Sequence, residues 1–223
     1  MIQTGKRKGI FANDPVIVYL SHNHEAKIRR EIAKNSKASF PHKLALQLDA
    51  EKYARQEEML CREVDLVTAI TETEVEAYRE NFPSQHYISL TPGYEGESHI
   101  RRISEATPRR VAISGSFEWV AKRINLERFL EQAASPLLAA GIELQIVGKA
   151  DDDYRQAILD QFPGVDMVGR VPEMTPFLLD ARMGLIVEEF GGGFKLKTLE
   201  YIFSWIAARG VGSCRRRLAV ERP

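Results

Sequence analysis

Short apolar runs, each closed by a glycine or a polar cluster, recur along the chain and predict its strands. Val16, Ile17, Val18, Tyr19 and Leu20 come first, β-branched and nearly continuous in apolar character, as in a strand buried on both faces. The run ends in Ser21, His22, Asn23, His24 and Glu25, where a parallel strand delivers polar side chains to a cleft. A long helix is predicted over roughly 43–63, with Leu44, Leu48, Tyr53 and Leu60 as its buried positions. A short strand follows at 66–70. Thr71 then has the chemistry of an N-cap, with Glu74 three residues on to complete a capping box. That helix runs to about Phe82, where Pro83 stops it, and 87–90 reads as a third strand.

The second half alternates strand and helix strictly. Strands are predicted at 111–114, 143–147, 165–168 and 183–187, the first three ending at Gly115, Gly148 and Gly169. Between them, Leu126, Phe129, Leu130, Ala133 and Leu137 recur at helical spacing. Further helices are predicted at about 152–162 and 174–180. Such alternation implies parallel sheets covered by helices, an α/β fold. Residues 92–108 have turn composition and no period, which makes them a linker. The expected organisation is a first Rossmann-like domain over 1–91, the linker, a second over 109–203, and an atypical basic tail over 204–223.

Composition narrows the class. The chain has 223 residues, 44% hydrophobic and 28% charged, ordinary for a globular protein with a buried core. Lys and Arg number 31 and so do Asp and Glu, so no global field suggests nucleic acid or an anionic membrane. Cys61 and Cys214 lie far apart and indicate neither a disulfide nor a metal site. No apolar run has the length of a membrane span, and the first residues lack a signal-peptide core. A cytoplasmic protein is the default expectation.

The stretch richest in chemistry joins the last strand to a helix: Glu188, Glu189, Phe190, Gly191, Gly192, Gly193, Phe194, Lys195, Leu196, Lys197, Thr198, Leu199, Glu200. Three glycines allow a tight turn and a close approach to a ligand. From Phe194 to Phe203 the spacing is helical, with Leu196, Leu199 and Phe203 on one side. A strand, a glycine turn and a helix start form an anion site, because free N–H groups and the helix dipole point at the turn. Lys195 and Lys197 add positive charge. The turn therefore reads as a cradle for a diphosphate, or as an ordinary strand-to-helix connection with solvated lysines.

These elements together resemble the retaining glycosyltransferases of the group-one, or family-four, type, whose GT-B fold faces two Rossmann-like domains across a cleft. Ser114, Gly115, Ser116 and Phe117 look like the glycine turn after the first strand of the family's donor domain. Ile146, Val147 and Gly148 look like its next strand end. Val168 to Pro172 resembles its G-x-V segment, whose backbone, at Val171, lies against the nucleobase. Gly193 to Glu200 resembles the element that binds phosphate and ribose. All four occur in family order.

The resemblance implies a donor site for a nucleotide diphosphate sugar at Gly115, Lys122, Val171, Gly193, Phe194, Lys195, Lys197 and Glu200. Lys122 and the following lysines would hold the phosphates, and Glu200 would accept hydrogen bonds from the ribose hydroxyls. Read alone, Lys122 is also compatible with a solvated lysine beside Arg123. His22, at the end of the first strand, matches a histidine that faces the sugar, with His24 and Glu25 as competitors for that role. No metal or organic cofactor is implied, and Asp151, Asp152 and Asp153 read as the acidic first turn of a helix. The acceptor, a glycan, a lipid or another molecule, is not specified, and a full-length enzyme of this kind is expected to associate peripherally with membranes.

Two departures matter. Many family members carry a second glutamate eight positions before the ribose-binding one; here that position is Gly192, so Glu188 or Glu189 is left as the carboxylate near the sugar, unless both simply cap the strand end. The pattern also breaks down past Phe203, and little precedes Val16. The expectation is a fold partial in its N-terminal domain and short of the last elements of its C-terminal one. A nucleotide-binding module without transfer activity, or another GT-B enzyme such as a sugar epimerase, are the competing readings.

Overall fold

The computed structural model describes residues 15–100, 102–190, 195–204 and 206–210. Gly193, Phe194 and Cys214 lie outside them. The chain divides after Gly93 into two compact units, each α/β with a parallel sheet.

In the first unit, β1 (Val18–Leu20), β2 (Leu66–Ala69) and β3 (Tyr87–Ser89) form a parallel sheet in that order. Three helices connect them: α1 (Glu25–Asn35), α2 (Phe40–Glu63) and α3 (Glu72–Asn81). Val67 and Ala69 of β2 pack on Cys61, Val64, Val75 and Tyr78 to make the core. The expected capping box is present, with Glu74 N donating to Thr71 Oγ1 at 3.3 Å.

Three expectations for this unit fail. Helix α1 was not predicted: its sequence is highly charged, and only Ala26, Ile28, Ile32 and Ala33 are buried, too sparse a stripe to signal a helix. In α2 the buried face carries Ala50, Glu57 and Cys61, while Leu44 and Leu48 are 49% and 66% exposed. The inner face is thus out of phase with the leucines, and a small residue, a carboxylate and a thiol line it instead. The apolar run of β1 does not mean burial on both faces either. Among the described residues β1 is an edge strand, and Val16, Val18 and Leu20 are exposed.

The second unit holds a five-stranded parallel sheet in the order β6-β5-β4-β7-β8. The strands are β4 (Arg110–Ser114), β5 (Glu143–Val147), β6 (Val165–Gly169), β7 (Met183–Ile186) and β8 (Ala207–Gly210). Helices α4 (Val120–Ala139), α5 (Asp152–Gln161), α6 (Thr175–Leu179) and α7 (Leu196–Phe203) link them. Leu126 and Leu130 of α4 and Ile158 of α5 pack on Val111, Ile113, Leu144, Ile146 and Met167 on one side of the sheet. Leu178 and Tyr201 pack on Ala112 and Ile186 on the other. The sheet is thus doubly wound, and its winding reverses between β4 and β7.

The sheet runs one strand further than the hydrophobic pattern predicts. In β8, Ala207, Ala208 and Arg209 pair in register with Met183, Gly184 and Leu185 of β7, although alanine and glycine have little strand propensity. The buried face of α7 also differs from expectation. Thr198 and Tyr201 point inward and Leu196 outward. Part of the expected linker packs on this unit, with Tyr94 stacked on Phe203 at 4.5 Å and His99 N donating to Phe203 O at 2.8 Å. Among the described residues no helix is long and apolar enough to cross a membrane.

Candidate functional site

In a doubly wound sheet the strand order reverses at one point, and connections leave that point in opposite directions. The carboxyl ends of the two strands there are left uncovered and form a crevice. In the second unit those strands are β4 and β7, so the segments after Ser114 and after Ile186 line the crevice.

Backbone packing on the β4 side needs glycine. Gly115 N donates to Val147 O at 3.1 Å, and Gly148 N to Gly169 O at 2.8 Å, tying the ends of β4, β5 and β6 together. A Cβ on Gly148 would lie 1.7 Å from Gly115 O, and Gly148 has φ +144°. No other residue fits there. Gly115 follows β4 directly, where that strand ends at the crevice. Val171 lies half-buried in the loop after β6.

The charged groups converge on Glu188. This carboxylate is 3% exposed, two residues past the end of β7. Its Oε1 accepts hydrogen bonds from Lys122 Nζ, in the first turn of α4, and from Lys197 Nζ at 2.5 Å, in the first turn of α7. Lys197 Nζ also donates to Ser114 O at 2.8 Å. Glu188 Oε2 is buried without a hydrogen-bond partner among the described residues. Burial pushes the Glu188 carboxyl up, but Lys197 and Lys122 outweigh it and hold it far down, at about 2. Burial lowers the Lys197 ammonium to about 8, and Glu188 opposes that fall.

Each ammonium has three protons to donate. Among the described residues Lys197 uses two, on Glu188 and Ser114, and Lys122 uses one, on Glu188, so toward these residues both keep donors. Two cations against one carboxylate leave a net positive charge in a largely buried place, where electrostatic attraction for an anion is stronger than in water. Lys195 is the N-cap residue of α7, half-buried, and Glu200 lies half-buried in its second turn.

Two neutral side chains brace this arrangement. Asn125 is buried in α4; its Oδ1 accepts from Glu189 N at 2.9 Å and Phe190 N at 3.4 Å, and its Nδ2 donates to Phe190 O at 3.0 Å. Tyr201 packs over Gly184, where a Cβ would meet its ring at 2.5 Å, and its hydroxyl reaches Ser114. Sequence reading missed both, and it missed Glu188 as the point where the lysines meet. Polarity gave no signal for Tyr201, but an asparagine on the apolar face of a helix, one residue before Leu126, was a usable one.

In the first unit the predicted residue His22 is exposed in the loop after β1. Its competitor His24 is the one built into the structure. The His24 ring stacks on Tyr78 at 4.7 Å, and its Nδ1 lies 3.0 Å from Glu57 Oε2. Glu57 also accepts from Tyr78 Oη at 2.6 Å and from Glu25 N and Ala26 N at the start of α1. A buried carboxylate thus caps α1 from another helix.

No protein-family model matches the chain, and no curated protein matches it. Solved structures do. The crystal structure of TarM gives a TM-score of 0.65 at 15% identity, covering 93% of this chain and 39% of that one. A substituted S. aureus TarM in complex with Fondaparinux, alpha-GlcNAc-glycerol and UDP gives 0.62 at 14% identity, with the same coverage of 93% and 39%. A UDP-forming alpha,alpha-trehalose-phosphate synthase from Burkholderia xenovorans gives 0.49 at 11% identity over 91% of this chain and 53% of that one. The chain therefore spans about two-fifths of the TarM structures, and at such identity the likeness is one of fold: two parallel-sheet α/β units, a partial GT-B fold.

Proposed function

We propose that this chain carries the donor site of a glycosyltransferase, which takes a sugar from a nucleotide diphosphate sugar and passes it to an acceptor hydroxyl with retention of configuration. The observation that carries the reading is the meeting of Lys122 and Lys197 at the carboxyl ends of β4 and β7, the point of a doubly wound sheet where phosphates are bound. The S. aureus TarM structure, which shares the fold, contains UDP. The resemblance in Gly115, Gly148, Gly169 and Glu200 supports the same assignment.

In this reading Lys122 and Lys197 donate to the diphosphate oxygens, together with N–H groups of the glycine turn around Gly193 and Phe194 and with Lys195. As the bond between the sugar and the diphosphate breaks, negative charge grows on the leaving oxygen. Donors already in place stabilise that charge without reorganisation. Glu200 takes the ribose hydroxyls, and the backbone at Val171 meets the base. His22, in the first unit, is assigned on the resemblance alone to hydrogen bonding with the sugar or acceptor.

Calorimetric titration with UDP and GDP tests the site. One of the two is expected to bind, and Lys122→Ala combined with Lys197→Ala is expected to weaken it at least tenfold. Hydrolysis or transfer from the matching sugar nucleotide then tests the activity. Binding without turnover by the full chain would support a binding module instead, and no binding of either nucleotide would overturn the reading.

A further inference from the structure

We infer that Glu188 is a positioning residue: it gathers Lys122 and Lys197 across the β4–β7 crevice and keeps Lys197 a cation before any anion arrives. The inference rests on the donor-site reading of the two lysines. It concerns the charge that such a site must hold, not a contact between Glu188 and the sugar.

The geometry separates these two roles. Glu188 spends one oxygen, Oε1, on both ammoniums, and it is 3% exposed. A carboxylate reaching for a sugar hydroxyl would be exposed in the crevice, whereas this one is buried and paired with both lysines. The lysines come from the first turns of different helices, α4 and α7. Nothing but Glu188 is hydrogen-bonded to both side chains among the described residues. Without it two ammoniums would repel each other across a shared buried space.

The side chain of Lys197 is only 11% exposed. Burial alone drives such an ammonium toward the neutral amine. A neutral amine at this place has lost the charge that attracts phosphate. Among the described residues the charged groups acting on it are Glu188 beyond β7, Lys122 from α4 and Lys195 at the start of α7, with Glu200 and Tyr201 on α7 itself. Lys122 and Lys195 push the Lys197 proton off and Glu188 holds it on. Removing the Glu188 charge while keeping its shape therefore moves Lys197 toward the amine.

The experiment uses the full chain labelled with 13C at lysine, with the Lys197 signal assigned from its loss in Lys197→Arg. In the native sequence the Lys197 titration is expected at about pH 8. In Glu188→Gln it is expected about 1–3 pH units lower, the size of effect one close opposite charge exerts. In Lys122→Met, which keeps Glu188 whole for Lys197, it is expected higher. An unmoved Lys197 signal in folded Glu188→Gln overturns the inference. So does a signal in Lys122→Met that stays or falls, which serves if the glutamine variant does not fold. UDP affinity gives the second readout: Glu188→Gln is expected to bind about tenfold more weakly at pH 7.5, with the pH dependence that the native chain shows around pH 8 moved down by the same roughly 1–3 units. Glu188→Gln with Lys197→Arg is expected to lose that dependence altogether. If the lysine titrations behave as stated and UDP does not bind the native chain, the positioning role stands and the donor reading falls. If UDP binds and both titration and pH profile ignore Glu188, the reverse holds.

Discussion

The Tyr201 hydroxyl of α7 lies 2.9 Å from Ser114 Oγ and accepts a hydrogen bond from Ser114 N at 3.1 Å, although the two residues are 87 positions apart. The same hydroxyl donates to Leu185 O at 3.3 Å. One buried phenol therefore ties α7 to the ends of both strands that flank the crevice. Burial pushes the phenol up to about 12, so it stays neutral through the physiological range. Tyr201→Phe keeps the ring over Gly184 but strands the Ser114 N–H and hydroxyl in a dry place. The expected loss is about 1–3 kcal/mol of stability, measured by urea unfolding, with secondary structure unchanged.

Gly148 and Gly141 both have positive φ, and they separate two reasons for glycine. Gly141, φ +67°, follows α4 and meets only Arg109 Nη1 at 3.8 Å where a Cβ would stand. Alanine there strains the backbone alone and is expected to cost about 1 kcal/mol. At Gly148 alanine adds a collision with Gly115 O. The expected cost is at least about 3 kcal/mol, with a loss of UDP binding that Gly141→Ala does not share. Equal urea midpoints for the two variants would show that the close approach of β4 and β5 is unimportant.

Glu57 makes the first unit sensitive to acid. Burial raises its carboxyl, but hydrogen bonds from His24 and Tyr78, the charge of His24 and the Ala26 N–H bring it below its usual 4.5. A carboxyl with a lowered folded-state value binds its proton more tightly when unfolded. Its contribution is therefore complete above about pH 4.5 and is lost as the pH falls through the lower, folded value. Glu57→Gln is expected to be less stable than the native chain at pH 7 and to show a shallower loss below pH 4.5. Fluorescence or circular dichroism against urea at pH 3.5, 5 and 7 would read both effects.

What was legible in the sequence was set by how each residue contributes. The strands β4 to β7 announce themselves because a buried parallel strand is a run of apolar residues, closed by glycine in β4, β5 and β6 and by Glu188 after β7. Helix α3 announces itself through Thr71 and Glu74, whose chemistry is local. Lys122 follows the turn after Gly115 in the sequence, but its pairing with Glu188 is not visible there. Helix α1 was not, since it is held by Glu57 from α2 and by few apolar side chains. Strand β8 was not, since its pairing with β7 comes from the sheet and not from Ala207, Ala208 or Gly210. Glu188 shows the limit most clearly. A carboxylate at a strand end reads as a solvated cap, and its burial between two lysines depends on α4 and α7, which reach it from 66 and 9 positions away.

Asn125 carries the last consequence, because it connects α4 to the segment that presents Glu188. Its amide accepts from Glu189 N and donates to Phe190 O and to Ala121 O, a pattern that needs a donor and an acceptor on one side chain. Aspartate has the same shape but only accepts when ionised. In Asn125→Asp an ionised oxygen would face the Phe190 carbonyl in a buried place, so the acid is held protonated and its value rises. A raised carboxyl is proton-bound in the folded state over a range where the unfolded chain is ionised, and stability falls as the pH rises through that range. The variant is expected to be destabilised by about 1–3 kcal/mol or more at pH 7.5, and to recover part of the difference from the native chain by pH 5. Paired urea titrations at the two pH values measure this. A destabilisation that does not change with pH would mean that the segment after β7 moves away from Asn125 when the charge appears, and UDP affinity should then fall with it, since Glu188 would no longer be held against Lys122 and Lys197.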